Sequence, residues 1–260
     1  MVKILETINL NCRNWHDVNL LFEDQTFYLI AGGNKSGKTE LFKILTSLFL
    51  TENQLICDDV ILNHETKYQY IKTIGVIKKV NEKSFHYQKI LDEMMYPLYN
   101  LHYSKKKSMD IIHNTLKKFK KEDWIEKNIS NLNDEEKQIL LIMIATLHNP
   151  KVLLFDSVLD GLNNQNIKLV MSLLRNDGFS IISFDVSLRN LEFFDKIIII
   201  NNHQIIKEMD VREVFNDDKI FYDNHLEIPF MYDLSIKLKM YNIINKNYHK
   251  IEEMVDDIWD

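Results

Sequence analysis

Eight consecutive residues, Gly32-Gly33-Asn34-Lys35-Ser36-Gly37-Lys38-Thr39, carry the most specific chemistry in the chain. They satisfy G-x-x-x-x-G-K-[ST], in which glycines let the backbone curl and aim its N–H groups at phosphate oxygens. Lys38 supplies a mobile cation for β- and γ-phosphates, and the Thr39 hydroxyl is a ligand for Mg2+. Glu40 follows directly as part of the same phosphate-binding stretch. The matching carboxylate should close an apolar strand further along. Val152-Leu153-Leu154-Phe155-Asp156 fits, which makes Asp156 the second Mg2+ ligand, directly or through a water.

Such a loop works only between a strand and a helix, and periodicity supplies both. Phe27 to Ala31 is a short apolar strand running into the glycines, and Thr39 to Leu50 reads as a helix with Leu41, Ile44, Leu45 and Leu48 on one face. Ile71 to Ile77 looks like another strand. Helical patterns follow at Ile90 to Leu98 and Ile111 to Phe119, where Met and aromatic stripes read as core. A helix from about Asp134 to His148 precedes the Asp156 strand. Helix (Asn163 to Asn176), strand (Ser180 to Phe184) and strand (Lys196 to Ile200) come after it. Alternating apolar strands and helices predict an α/β fold with a mainly parallel sheet. Helical patterns at Tyr232 to Met240 and Tyr248 to Trp259 predict a small helical appendage. The expected division is 1–220 for the nucleotide-binding domain, with a helical subdomain at about 80–148, and 221–260 for the appendage.

The 260 residues are 45% hydrophobic and 27% charged, an ordinary globular composition able to bury a core. A net charge of −6 offers no general attraction to nucleic acid or anionic lipid. Runs such as Lys105-Lys106-Lys107 read as solvated helix faces. Cys12 and Cys57 lack metal or redox spacing, and no histidine pair has zinc-ligand spacing. Met1-Val2-Lys3-Ile4 opens no signal peptide. The longest apolar run, Ile139 to Leu147, is far shorter than the about 20 residues of a membrane span. Work at a membrane would therefore pass through a partner.

Taken together, these motifs resemble those of the ATP-binding-cassette ATPases over nearly the whole chain. Leu132-Asn133-Asp134-Glu135-Glu136 stands where that family carries its L-S-G-G-Q signature, followed by Lys137-Gln138 as in many relatives. Gly161-Leu162-Asn163 resembles the family's G-L-D loop. Phe194-Asp195-Lys196-Ile197 and Arg212-Glu213-Val214-Phe215 resemble its closing strand and following helix. His225-Leu226-Glu227-Ile228-Pro229-Phe230, with Leu234 and Lys237-Leu238, is similar to the appendage of energy-coupling factor ATPases. The resemblance implies a P-loop cassette fold that binds ATP with Mg2+. It implies pairing with a second cassette ATPase and docking on an integral membrane transport subunit, with no nucleic acid partner. The chain would then be peripheral on the cytoplasmic face of the cell membrane.

The catalytic part of the pattern departs from the family. Lys79 stands at its glutamine, Ser157 at its glutamate and Phe184 at its histidine, and Lys35 replaces a loop glycine. A serine hydroxyl is no general base at neutral pH without a helper, and a phenyl ring can neither donate to a phosphate nor orient a water. Three acids occupy the signature, where each would repel a phosphate by roughly 1–4 kcal/mol at contact in a wet site. They suit a helix start instead: Asn133 as N-cap and Glu136 three residues on form a capping-box pattern.

Three functions fit: an importer's ATP-binding subunit with little hydrolysis, a divergent active ATPase using Asp160 or Asp185 as base, or an ATP-dependent clamp on a soluble partner. Trp15 is a candidate for stacking on the adenine.

Overall fold

The computed structural model describes residues 2–49, 51, 54–185, 187–216, 219–224, 226–246, 248 and 251–259. Two sheets form its frame. The smaller is antiparallel and holds β1 (Lys3–Cys12), β2 (Trp15–Glu23), β4 (Leu55–Cys57) and β5 (Val60–Ile61), in the order β2-β1-β4-β5. The larger has six strands in the order β10-β9-β3-β8-β7-β6. Its members are β3 (Phe27–Ala31), β6 (Ile74–Lys78), β7 (Val152–Asp156), β8 (Ser180–Asp185), β9 (Lys196–Asn201) and β10 (Gln204–Asp210). Every neighbouring pair is parallel except the β9–β10 hairpin at the edge.

Period-2 alternation explains why the central strands are apolar throughout. In β3, Phe27, Leu29 and Ala31 join one core while Tyr28 and Ile30 join the other. The first core lies under the helical layer: α3 (Ile90–Asn100), α4 (Lys105–Lys118), α5 (Asp134–Thr146) and α6 (Asn164–Asn176). The second fills the space between the two sheets around α1 (Lys38–Leu45), which buries Leu41, Phe42, Ile44 and Leu45.

Helix α1 is shorter than its apolar pattern suggests. Ser47 takes the left-handed φ of 56°, and the Lys43 carbonyl accepts from Leu48 N–H at 3.0 Å. This C-terminal turn ends the helix before Leu48; Leu50 lies outside the described residues. The expected strand from Ile71 is corrected as well. Helix α2 (Lys67–Thr73) continues through Thr73, and only Ile74–Lys78 is extended. The Asn63 carboxamide accepts from the N–H groups of Glu65 and Thr66, winding the first turn. Tyr70 then anchors the helix by donating to the Leu45 carbonyl at 2.9 Å.

Three more helices close the chain: α7 (Lys219–Asp223), α8 (Phe230–Met240) and α9 (Ile251–Trp259). Phe221, Leu226 and Tyr232 join the first core, whereas Ile244, Tyr248 and Met254 form a separate cluster against Met231, Leu234 and Leu238. His225 of the tail motif lies outside the described residues.

Candidate functional site

Residues 32–37 leave β3 at the carboxyl end of the parallel strands and feed α1. A side chain at Gly32 would place its Cβ 2.4 Å from the Ile200 carbonyl oxygen, so backbone passes where no Cβ fits. Gly37 has φ +106°, a conformation open mainly to glycine. Lys35 also lies in the left-handed region, at φ 65°. No side chain caps α1. Glu40 N–H already donates to the Gly37 carbonyl at 3.0 Å, which leaves the Lys38 and Thr39 N–H groups at the helix start for an anion, favoured there by the helix dipole.

A cleft of about 360 Å3 lies over this loop, lined by residues 33–40 and by His203. Every loop residue expected to bind phosphate except Gly32 lines it. Within the loop, Lys38 Nζ donates to the Gly32 carbonyl, to the Gly33 carbonyl at 3.0 Å and to Ser36 Oγ at 3.4 Å. Burial lowers the Lys38 pKa, against the opposing pull of Asp185 and Asp156.

Asp156 ends β7, two strands from β3. Burial raises its pKa, while Lys78, Lys38 and Lys43 act in the other direction. The positions singled out around it converge through the backbone. Lys79 N–H donates to the Asp156 carbonyl at 3.0 Å, and Ser157 N–H donates to the Phe184 carbonyl at 3.0 Å. Ser157 turns the chain at φ 53°. The Phe184 ring is buried on the α1 side of the sheet, edge-on to Phe42 at 5.4 Å.

Asp185 ends β8 opposite Ala31 and is buried; Ser183 Oγ donates to its Oδ2 at 2.6 Å. Its Oδ1 has no hydrogen-bond partner. Burial pushes its pKa up to about 6; the Ser183 bond opposes this, and Asp160 and Asp156 reinforce it. Asp185 thus lies within electrostatic reach of Asp160, Asp156 and Lys38, and Lys38 within reach of both Asp185 and Asp156.

The acid-rich start of α5 is built as a helix terminus. Asn133 accepts from Glu136 N–H at 2.9 Å while Glu136 accepts from Asn133 N–H at 3.0 Å, completing the capping box. Glu135 reaches across to the start of α6. It accepts from Asn163 N–H at 2.6 Å, from the Asn163 amide at 3.1 Å and from the Asn166 amide at 2.9 Å. These donors, Asn163 N–H first, hold its pKa below the usual carboxylate range. A depressed folded-state pKa adds stability above the unfolded value, and that stability disappears as pH falls through the folded value. Glu135→Gln is accordingly expected to cost about 1 kcal/mol at neutral pH, after allowance for solvent screening. The gap between variant and parent should close below about pH 4. Urea unfolding of both proteins at neutral and acid pH measures it, and a pH-independent gap would contradict this account.

The one aromatic assignment made from the sequence changes. Trp15 is completely buried, with its indole N–H unpartnered, so no ring face is open to an adenine. His203, which the sequence did not single out, lines the cleft instead. It occupies the tight β9–β10 turn, where Asn202 and His203 have φ of 47° and 59°. Asn201-Asn202 signals that turn, but nothing local announces that it meets a loop at the other end of the chain.

Comparison with known proteins agrees with this geometry. The model of a family described as ABC transporter matches residues 15–159, more than half of the chain. The energy-coupling factor transporter ATP-binding protein EcfA1 of Mesomycoplasma hyopneumoniae (strain 7448) is 28% identical over 248 residues, 94% of this chain and 90% of its own. The protein of the same name from Oenococcus oeni is 25% identical over 271 residues, 99% and 98% of the two chains. Among solved structures, cbiO1 from Clostridium perfringens, part of the ABC transporter complex cbiONQ, aligns with a TM-score of 0.74 at 19% identity. That alignment covers 90% of this chain and 99% of cbiO1. The ADP conformation of MJ1267, an ATP-binding cassette of an ABC transporter, gives 0.72 at 19% identity over 85% and 98%.

Proposed function

We propose, from the premise that the chain belongs to the ABC transporter ATPase family, that it is the ATP-binding subunit of an energy-coupling factor-type importer and hydrolyses ATP poorly. The observation that carries the binding role is the start of α1, capped by no side chain, beside a cleft that Lys38 lines. Backbone N–H groups of the loop and of the start of α1, other than those of Ser36 and Glu40, which donate to Gly33 and Gly37, would hold the phosphates together with the Lys38 ammonium group. The donor set also suits magnesium: a Thr39 hydroxyl in the cleft and the Asp156 carboxylate at the strand end are hard oxygen ligands. An ion held by these oxygens would supply positive charge to the phosphates.

What supports poor hydrolysis is the chemistry around Asp156. Ser157 offers no carboxylate, Phe184 is committed to the core beside Phe42, and Glu135 is committed to Asn163. A membrane partner, rather than insertion, is supported by the helices: among the described residues none is long and apolar enough to cross a bilayer. Exposed Tyr87, Tyr96 and Tyr99, beyond the Lys78 end of β6, present aromatic surface to a protein partner. The energy-coupling factor names of the relatives favour a second ATPase and a membrane subunit as companions, on the cytoplasmic face.

The isolated chain is expected to bind MgATP yet release phosphate no faster than its Lys38→Ala variant. Gentle solubilisation from its own membranes should recover it with a second cassette ATPase and an integral membrane protein. Recovery with soluble proteins alone would overturn the importer assignment.

One observation favours a second reading, an active but divergent ATPase. The unpartnered Asp185 Oδ1, on a carboxyl with a pKa near about 6, is chemically suited to accept a proton. Turnover that Lys38→Ala abolishes and Asp185→Asn strongly reduces, with folding intact, would establish it.

A further inference from the structure

Glu40 is an anomaly for a phosphate site. It lines the same cleft as the N–H groups that should take phosphate, and a free carboxylate there would repel the ligand. It is not left free. His203 Nε2 lies 3.0 Å from Glu40 Oε2, and the Asn14 amide donates to the same oxygen at 3.3 Å. The two side chains are 16% and 26% exposed, so the pair is largely screened from bulk water but open to the cleft.

The imidazole is held on several sides. Its backbone N–H donates to the Ser36 carbonyl at 2.9 Å, which hangs the β9–β10 turn from the loop itself. Its ring rests on Gly37, where a Cβ would come within 2.8 Å of His203 Cδ2. Trp15 meets it edge-on, with ring centroids 5.7 Å apart. A residue fixed in this way by a distant turn does more than fill space, because its one charged contact is the acid in the cleft.

We propose that His203 is a positioning residue of the nucleotide site, holding the Glu40 carboxylate against the β9–β10 turn so that a phosphate-binding loop can carry an acid. The inference rests on the nucleotide-binding role proposed above and names the contact that makes it compatible with Glu40. Whether the imidazole is charged or only donates its Nε2–H, it satisfies the carboxylate and directs it away from the phosphate path. Removing the imidazole should therefore harm binding only while the carboxylate remains.

That dependence is the test. N-methylanthraniloyl-ATP with Mg2+ is titrated into the full chain, and into His203→Gly, Glu40→Gln and the double variant, at one neutral pH. Glycine is chosen because φ at 203 is 59°, which glycine adopts without strain, and thermal melts confirm folding. His203→Gly is expected to raise Kd about tenfold, the scale of one unpaired charge at contact in a wet site. Glu40→Gln should bind more tightly than the parent, and the double variant should bind like Glu40→Gln. Inorganic tripolyphosphate, used as competitor, should weaken in parallel with the nucleotide. His203→Gly binding within about twofold of the parent, or a double variant as weak as His203→Gly, would overturn the proposal. Loss confined to the nucleotide and absent for tripolyphosphate would also overturn it, because the ring would then contact the base. If the parent chain binds and Lys38→Ala does not, the nucleotide role stands whatever His203 does. If the parent fails to bind, both fall.

Discussion

Lys38→Ala is expected to weaken MgATP binding about a hundredfold or more while leaving the melting temperature close to that of the parent chain. Lys38 lines the cleft, and its ammonium group already donates to Gly32 O, to Gly33 O at 3.0 Å and to Ser36 Oγ at 3.4 Å. Incoming phosphates therefore do not meet a vacant cation. They exchange neutral acceptors for anionic ones, and charge-assisted bonds are about twice as strong. Two such bonds contribute about 3 kcal/mol net. Partial burial strengthens the case, because it holds the Lys38 pKa below the ordinary lysine value and an arriving anion restores the preference for charge. Stability should fall by only about 1 kcal/mol, because the Gly33 carbonyl it leaves lies at the cleft while the buried Gly32 carbonyl loses a donor. Calorimetric titration with MgATP measures the loss. A variant that binds within about tenfold of the parent would show that the cleft is not the nucleotide site.

Gln138→Leu should destabilise the chain by about 2–3 kcal/mol, the largest effect expected of a single polar residue here. Gln138 is fully buried on α5, facing the loop after β6. Its Oε1 accepts from Val80 N–H at 2.8 Å, and its Nε2 donates to the Lys78 carbonyl at 3.2 Å. It also packs on Gly161, where an added Cβ would stand 3.3 Å from Oε1. One amide thus joins the β6 strand end, the acid-rich helix and the turn after β7. Leucine matches its volume but leaves a donor and an acceptor unsatisfied, and that desolvation cost outweighs the gain in apolar burial. A fall in Tm of about 5–8 °C is expected for a chain of this size. Faster amide exchange at Val80 should accompany it. A neutral melt would mean that the loop finds other partners.

The parts of the fold that were legible are those whose reasons are local. The glycine loop, the apolar strands buried on both faces and the Asn133–Glu136 capping box each depend on residues within a few positions of one another. The antiparallel sheet was not legible. Pairing of β1 with β2 shifts register between Thr7 and Leu10 and again before Cys12, and these irregularities break the alternation that would mark a strand. Tyr70 turned an apparent strand into a helix through a bond to Leu45, twenty-five positions away. The same limit hid His203: its meeting with Ser36, Gly37 and Glu40 is made by strand order, since β9 lies next to β3. Chemistry that depends on one short stretch can be read from residue types, whereas chemistry assembled by a sheet needs the sheet.

The Phe42–Phe184 pair has a consequence for substitution at either position. The rings sit edge to face across α1 and β8, and Lys78 lies over the Phe42 ring at 5.4 Å. A lone Phe184→His change would bury an imidazole among apolar neighbours, at about 1–3 kcal/mol if it found no partner. A lone reduction at Phe42 would open a cavity under a ring that still fills its own place. Either first step lowers stability before the second can compensate. A polar group at position 184 itself is thus reached only through a less stable single variant or by changing both sites together. The aromatic pair therefore couples the two positions, so that a polar side chain at 184 is tolerated only together with a change at 42.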